Sequence, residues 1–188
     1  MLSDGPCVIE NLPDISDVST ILKTMQSLGA QIRMINKSTV EIDPRHVNSF
    51  VVSKKMAEGM RASSYFLGAL LGRMLRARVA PPGGCDFGVR PIDQHIKGFE
   101  ALGAKMTIEN GMVDAKAMSL TGCLIYLDVV SVGATINIML AAAKADGLTI
   151  IENAAREPHI VDLANFLNSM GANIMGAPAL LKYAALST

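Results

Sequence analysis

Apolar residues fall into a helical rhythm at three places along this chain, and each place ends in the same way. Val18, Ile21, Leu22, Met25 and Leu28 stop at Gly29-Ala30; Ile92, Ile96, Phe99 and Leu102 stop at Gly103-Ala104; Ile160, Leu163, Phe166, Leu167 and Met170 stop at Gly171-Ala172. Spacing of three and four residues gives a helix one apolar stripe and one solvated face, and a glycine just past the stripe suits the positive-φ residue that ends a helix. The pattern predicts three amphipathic helices, each opening near an aspartate: Asp17, Asp93 and Asp162. They recur at about 70 residues, too long for a short solenoid repeat and suited to a supersecondary unit.

Short strand-like runs lie between them: Gln31 to Met34, Thr39 to Ile42, Arg78 to Ala80, Lys105 to Ile108, Met112 to Ala115, Cys123 to Leu127 and Leu148 to Ile151. Asn110-Gly111 separates two of these and predicts a tight hairpin. Two further segments, Ala57 to Leu75 and Gly133 to Ala145, are rich in Ala, Met, Leu and Gly with almost no polar face. A helix of that kind must be buried on most sides. Each full unit then reads β-α-β-β-α-β with one interior helix, and the pattern by itself gives an α/β repeat domain.

Composition narrows the partners. Half of the 188 residues are apolar, 18% are charged, and 17 basic residues balance 17 acidic ones, so no overall field attracts nucleic acid or an anionic membrane. The length suits one well-filled domain. The longest strongly apolar stretch, Ile136 to Ala143, is interrupted by Asn137 and is far shorter than the roughly 20 residues that span a bilayer. Three cysteines, Cys7, Cys85 and Cys123, are widely spaced without metal-ligand spacing, and no export signal opens the sequence; a reducing cytoplasm is the expected setting.

The candidate chemistry sits in Pro82-Gly83-Gly84-Cys85-Asp86-Phe87-Gly88-Val89-Arg90-Pro91-Ile92-Asp93-Gln94-His95. Glycines let backbone N–H groups approach a ligand, and a nearby arginine lowers a thiol's pKa and can grip a phosphate. Gly and Pro clusters also mark ordinary turns, and an isolated cysteine also serves as a small buried hydrophobe, so spacing leaves both readings open.

Five ordered motifs carry a resemblance: Met60-Arg61-Ala62-Ser63, Pro82-Gly83-Gly84-Cys85, Arg90-Pro91-Ile92-Asp93-Gln94-His95, Ser131-Val132-Gly133-Ala134-Thr135 and Ile151-Glu152-Asn153-Ala154-Ala155-Arg156-Glu157-Pro158. From about Gly5 to Gly176 the chain resembles the UDP-N-acetylglucosamine enolpyruvyl transferases, which move enolpyruvate from phosphoenolpyruvate to the sugar nucleotide in peptidoglycan precursor synthesis. The sister family acting on shikimate 3-phosphate shares the fold, but the Cys loop points away from it. The resemblance implies an inside-out α/β prism, with helices central, sheets facing solvent and the third repeat incomplete. It implies a domain over 1–176 followed by an off-pattern tail over 177–188, and no metal or cofactor.

The resemblance also implies roles. Cys85 protonates the methylene carbon of phosphoenolpyruvate, can form a covalent phosphothioketal, and is the residue that fosfomycin alkylates. Arg90, Pro91, Ile92, Asp93 and Gln94 surround the uracil and phosphate, His95 lies near the diphosphate, Arg61 contacts the sugar nucleotide, and Ser131, Val132 and Gly133 present a helix N-terminus to the diphosphate. Plainer roles stay open beside these: a solvated charge for Arg90, an N-cap for Asp93 and for Ser131, an internal salt bridge for Arg61. Val129 stands where family members often carry Lys, and His159 where they often carry Glu. The family's Lys-Asn pair and second domain are not found here, so the expectation is a portion inactive alone, with a non-catalytic domain binding a nucleotide sugar or a protein partner as the alternative.

Overall fold

The computed structural model describes residues 1–57, 60–80, 92–177 and 180–184. Its strands are β1 (Cys7–Ile9), β2 (Gln31–Asn36), β3 (Thr39–Asp43), β4 (Val51–Val52), β5 (Arg76–Val79), β6 (Lys105–Glu109), β7 (Met112–Lys116), β8 (Leu124–Tyr126), β9 (Thr149–Glu152), β10 (Asn173–Ala177) and β11 (Leu180–Ala184). Its helices are α1 (Ser16–Ser27), the short α2 (Lys54–Ala57), α3 (Tyr65–Met74), α4 (Asp93–Ala101), α5 (Val132–Ala142) and α6 (Pro158–Ser169), and a 3-10 turn over Arg61–Ser64 leads into α3.

The strands form three separate sheets in the orders β1-β3-β2, β4-β5-β7-β6 and β8-β9-β11-β10. Within each, one wiring recurs. A strand (β1, β5 or β9) enters an amphipathic helix (α1, α4 or α6), and a hairpin returns so that its second strand pairs antiparallel with the first. The glycines that close those helices, Gly29, Gly103 and Gly171, have φ of +105°, +99° and +100°, as the pattern requires. The Asn110-Gly111 turn has positive φ at both residues, the type I′ geometry that matches strand twist.

In the second and third units an additional strand precedes this module. β4 pairs parallel with β5 and β8 parallel with β9, and parallel neighbours must be joined by a crossover, supplied by α3 and α5. The order is therefore β-α-β-α-β-β rather than the expected β-α-β-β-α-β, because each hairpin closes its unit instead of standing in its middle. The third sheet is also complete: Leu180–Ala184, within the tail expected to be off pattern, is a strand between β9 and β10.

The core is helical. In α3 every residue from Phe66 to Gly72 is buried, and in α5 every residue from Ala134 to Ala142 except Leu140 is buried. They pack against each other, with the sheets outside them exposing Val8, Met34, Ile108, Leu124 and Met175. The contact is backbone-close: a Cβ on Gly68 would stand 2.3 Å from the Asn137 carbonyl oxygen, so only glycine fits there. The apolar run from Ala57 to Leu75 is thus interior, but it is not one helix. Among its described residues, Ala57 ends α2, Arg61–Ser64 is the 3-10 turn and Tyr65–Met74 is α-helical.

Candidate functional site

Two helix starts meet at the second and third units. α4 begins at Asp93, with Ile92 at the N-cap position and no side-chain cap bond, so Asp93 is the first helical residue and not the cap. Its carboxylate nevertheless lies in the first turn, where the helix dipole favours negative charge. The other start is α5. Ser131 is its N-cap, and Ser131 Oγ accepts from the Ala134 N–H at 3.3 Å while the Ser131 carbonyl accepts from the Thr135 N–H at 2.9 Å. Ala134 and Thr135 are thereby satisfied. The N–H groups of Val132 and Gly133, at the first positions of the helix, have no intrahelical acceptor, which makes this start suited to an anion.

His95 joins the two. Its Nε2 lies so close to Gly133 that a Cβ on Gly133 would be 3.2 Å away. Burial pulls the imidazole below the ordinary histidine range, opposed by the Asp93 carboxylate and the Gly133 backbone. His95 Nδ1 is buried and has no hydrogen-bond partner among the described residues. Burial thus disfavours the charged ring beside the α5 N-terminus, and Nδ1 is left without a hydrogen-bond partner among the described residues.

Gln94 is a strut beneath them. Buried at 5% exposure, it accepts at Oε1 from the Asp128 N–H (2.9 Å) and donates from Nε2 to Asp93 Oδ2 (3.2 Å) and Asp128 Oδ2 (3.3 Å). Asp128 also takes Lys97 Nζ at 2.6 Å, and Lys97 followed by Gln94 holds its carboxyl below the usual range. Neither Lys97 nor Asp128 is singled out by the sequence. The only signal is positional: Lys97 lies one helical turn from Asp93, and Asp128 three residues before Ser131.

Behind the site, two side chains fix the α5 start, Thr135 buried and Asn153 half-buried. Thr135 Oγ1 donates to the Ser131 carbonyl at 2.8 Å and accepts from the Ala155 N–H at 3.0 Å, and Asn153 Nδ2 donates to the Leu127 carbonyl at 2.8 Å. The Ile151 to Pro158 motif thus braces the 127–135 turn from Asn153 and Ala155, while Arg156 and Glu157 stand exposed. Asn137 reaches the other way, accepting at Oδ1 from the Gly68 N–H (2.9 Å) and donating from Nδ2 to the Gly133 carbonyl (3.0 Å).

The structure brings together Ile92, Asp93, Gln94 and His95 with Ser131, Val132 and Gly133. Cys85, Arg90 and Pro91 lie outside the described residues, in the connection from β5 to α4, and so does the side chain of Arg61. Val129 is exposed on the approach to α5, and His159 is exposed at the start of α6. No group of His, Cys, Asp and Glu among the described residues has the arrangement to hold a metal ion. No described helix is long and apolar enough to cross a membrane.

The sequence model of EPSP synthase (3-phosphoshikimate 1-carboxyvinyltransferase) matches residues 1–183. The chain is 58% identical over 177 residues to UDP-N-acetylglucosamine 1-carboxyvinyltransferase 3 of Caldanaerobacter subterraneus, a match that covers 94% of this chain and 42% of the relative. It is 57% identical, with the same coverage, to UDP-N-acetylglucosamine 1-carboxyvinyltransferase 2 of Clostridium acetobutylicum. Among solved structures, the enolpyruvyl transferase NikO from Streptomyces tendae superposes with a TM-score of 0.83 at 23% identity, over 98% of this chain and 43% of that one. EPSP synthase from Acinetobacter baumannii gives 0.77 at 14% identity, over 100% and 43%. These two likenesses concern the fold. The chain spans about 42% of the length of the curated relatives it matches.

Proposed function

The chain belongs to the EPSP synthase family, and from that premise we propose that it forms the Cys-loop-bearing part of an enzyme transferring enolpyruvate from phosphoenolpyruvate to UDP-N-acetylglucosamine. One observation carries the choice of acceptor: 58% identity over 177 residues to a relative named for that reaction. The geometry supports it. The N–H groups of Val132 and Gly133, which have no intrahelical acceptor, and the adjoining His95 make a site for an anion, as a diphosphate is.

In this reading the diphosphate accepts from the Val132 and Gly133 N–H groups and from His95. Ile92 packs on the uracil, with Asp93, Arg90 and Pro91 beside it, and Arg61 reaches the sugar nucleotide. Gln94 acts as a positioning residue, since its amide is occupied by Asp93 and Asp128. Cys85 delivers a proton to the methylene carbon of phosphoenolpyruvate. The peptidoglycan pathway and a cytoplasmic setting follow from the same reading.

The 188-residue polypeptide by itself binds the sugar nucleotide weakly and turns over negligibly. Positioning both substrates accounts for roughly 7–11 kcal/mol of such a barrier, and a single helix-start site does not hold two substrates in line. Isothermal titration with UDP-N-acetylglucosamine, UDP and shikimate 3-phosphate tests the reading, alongside phosphate release from phosphoenolpyruvate. Millimolar binding of the first two and none of the third is expected. Equal binding of shikimate 3-phosphate would overturn the choice of acceptor, and turnover on the order of 10 per second would overturn the claim of inactivity alone.

A further inference from the structure

β6 ends the second sheet, whose order is β4-β5-β7-β6. A two-residue I′ hairpin closes on a hydrogen-bonded pair, here Glu109 and Met112, so Lys105, Thr107 and Glu109 commit their backbone groups to β7. Met106 and Ile108 turn theirs to the open side, where no described residue bonds them. Such a row of N–H and C=O groups is a template for another strand.

The side chains of β6 sort to two faces. Met106 and Ile108 lie opposite Ala115 and Val113, both buried, and so belong to the helix side of the sheet. Ile108 is nevertheless 59% exposed, because it stands at the open margin. Lys105, Thr107 and Glu109 belong to the solvent side, where Arg76 lies opposite Lys116 and Lys116 opposite Lys105. Like charges directly opposite one another are destabilising. Neither Lys105 nor Glu109 has an ion-pair partner among the described residues.

We infer that β6 pairs with β6 of a second copy of this chain, antiparallel about Thr107, so that the two second sheets become one continuous sheet. The order Lys105-Met106-Thr107-Ile108-Glu109 complements itself when reversed. Met106 and Ile108, whose backbone groups are open, fall opposite each other and exchange N–H to C=O bonds. Lys105 stands opposite the second copy's Glu109 at both ends, in non-hydrogen-bonded positions, where side chains are closer. Ile108 gains an apolar neighbour in the second copy's Met106, and a carboxylate closes the cationic row of Arg76, Lys116 and Lys105. A slip to the next allowed register in either direction sets Lys105 or Glu109 opposite Thr107 and loses both charge pairs. With five residues a side, the pairing falls well below a standard interface of roughly 1,600 Å² and is weak. It does not depend on the proposed reaction.

Sedimentation of the 188-residue chain from about 10 µM to about 1 mM tests this, with a monomer–dimer equilibrium of dissociation constant on the order of 100 µM expected. Lys105→Glu and Glu109→Lys, both at exposed positions, each set like charges opposite at both ends. Each is expected to weaken the dimer about tenfold while circular dichroism is unchanged. Mixed in equal amounts, the two variants restore opposite charges at both ends and are expected to form a heterodimer of wild-type strength, which a folding defect in either would not give. Thr107→Cys, incubated with oxidised glutathione, is expected to yield a dimer linked through position 107, since non-hydrogen-bonded partners stand about 4.5 Å apart between α-carbons, within disulfide reach. The inference is overturned if the chain stays monomeric at about 1 mM, if mixing the charge variants restores nothing, or if the Thr107→Cys link maps elsewhere. A dimer indifferent to both charge variants would also overturn it, and would belong to another face of the molecule.

Discussion

His95 Nε2 and the α-carbon of Gly133 face each other across the two helix starts, with room for hydrogen and not for a methyl group: a Cβ would stand 3.2 Å from the ring nitrogen. Gly133→Ala therefore sets two effects against each other. Alanine raises helix propensity by up to about 1 kcal/mol, while the imidazole must move by a few tenths of an ångström out of line with the anion site. Thermal stability is expected to stay nearly level and affinity for UDP-N-acetylglucosamine to fall about tenfold, or about 1.4 kcal/mol. Calorimetric titration beside a melting curve checks this, and unchanged affinity would remove His95 from the binding site.

The half-buried His95 also predicts an acid limit. Its folded-state pKa is depressed by burial from 6.5, so below that value the unfolded chain binds a proton that the folded chain resists. Stability is expected to fall as pH drops through about 6.5 on account of His95, on top of a fall that begins near pH 8 and comes from the Met1 amine, whose pKa burial lowers from 8.0 to about 6. His95→Gln should flatten that part of the profile. Urea unfolding between pH 5 and 8, with the His95 ring followed by NMR, measures it; a His95 midpoint above 6.5 would contradict the assignment.

Gly68 tests the helical core. A Cβ there meets the Asn137 carbonyl oxygen and carbon at 2.3 and 2.9 Å, which are backbone atoms that cannot swing away. Gly68→Ala is expected to cost about 3 kcal/mol, the upper part of the overpacking range. Gly5→Ala, where nothing lies within 4 Å, is the control and should change little. Denaturant midpoints compare them, and equal midpoints would mean that α3 and α5 are not in backbone contact.

Thiol selectivity tests the proposed chemistry. Cys123 is a poor nucleophile, since burial pushes its thiol pKa up and its Sγ lies 3.2 Å from the Ala101 carbonyl oxygen. Fosfomycin with UDP-N-acetylglucosamine is expected to add a single adduct, on Cys85, with Cys7 and Cys123 unmodified. Peptide mapping locates it, and an adduct on either other cysteine, or none, would sink the role given to Cys85.

The parts of this fold that were legible in the sequence are those in which one residue type meets one backbone requirement. Gly29, Gly103 and Gly171 mark helix ends because a positive φ is cheap only for glycine, and Asn110-Gly111 marks a hairpin for the same reason. Hydrophobicity correctly placed 57–75 in the interior but did not give its backbone, because burial demands apolar side chains and is indifferent to the helix type. Arg61–Ser64 accordingly forms a 3-10 turn ahead of the α-helix. Within the candidate site, helix-start residues are readable locally, whereas the pairing of Gln94 with Asp128 is not: Asp128 is 34 positions away, and the packing of α4 against β8 and α5 brings it near. Asn137 shows in the sequence merely as a break in an apolar run, although it ties Gly68 to Gly133.

That tie has a consequence for synthesis on the ribosome. Each sheet closes from strands of its own stretch of chain, so the second can form its ladder before the third is translated. Its central helix cannot finish so early. The Gly68 N–H waits for Asn137, 69 residues later, an interval of about 3–14 s at typical elongation rates of roughly 5–20 residues per second. During that interval the nascent chain carries the apolar face of α3 uncovered, and a chaperone that recognises such faces has its opportunity then, before the α5 segment emerges.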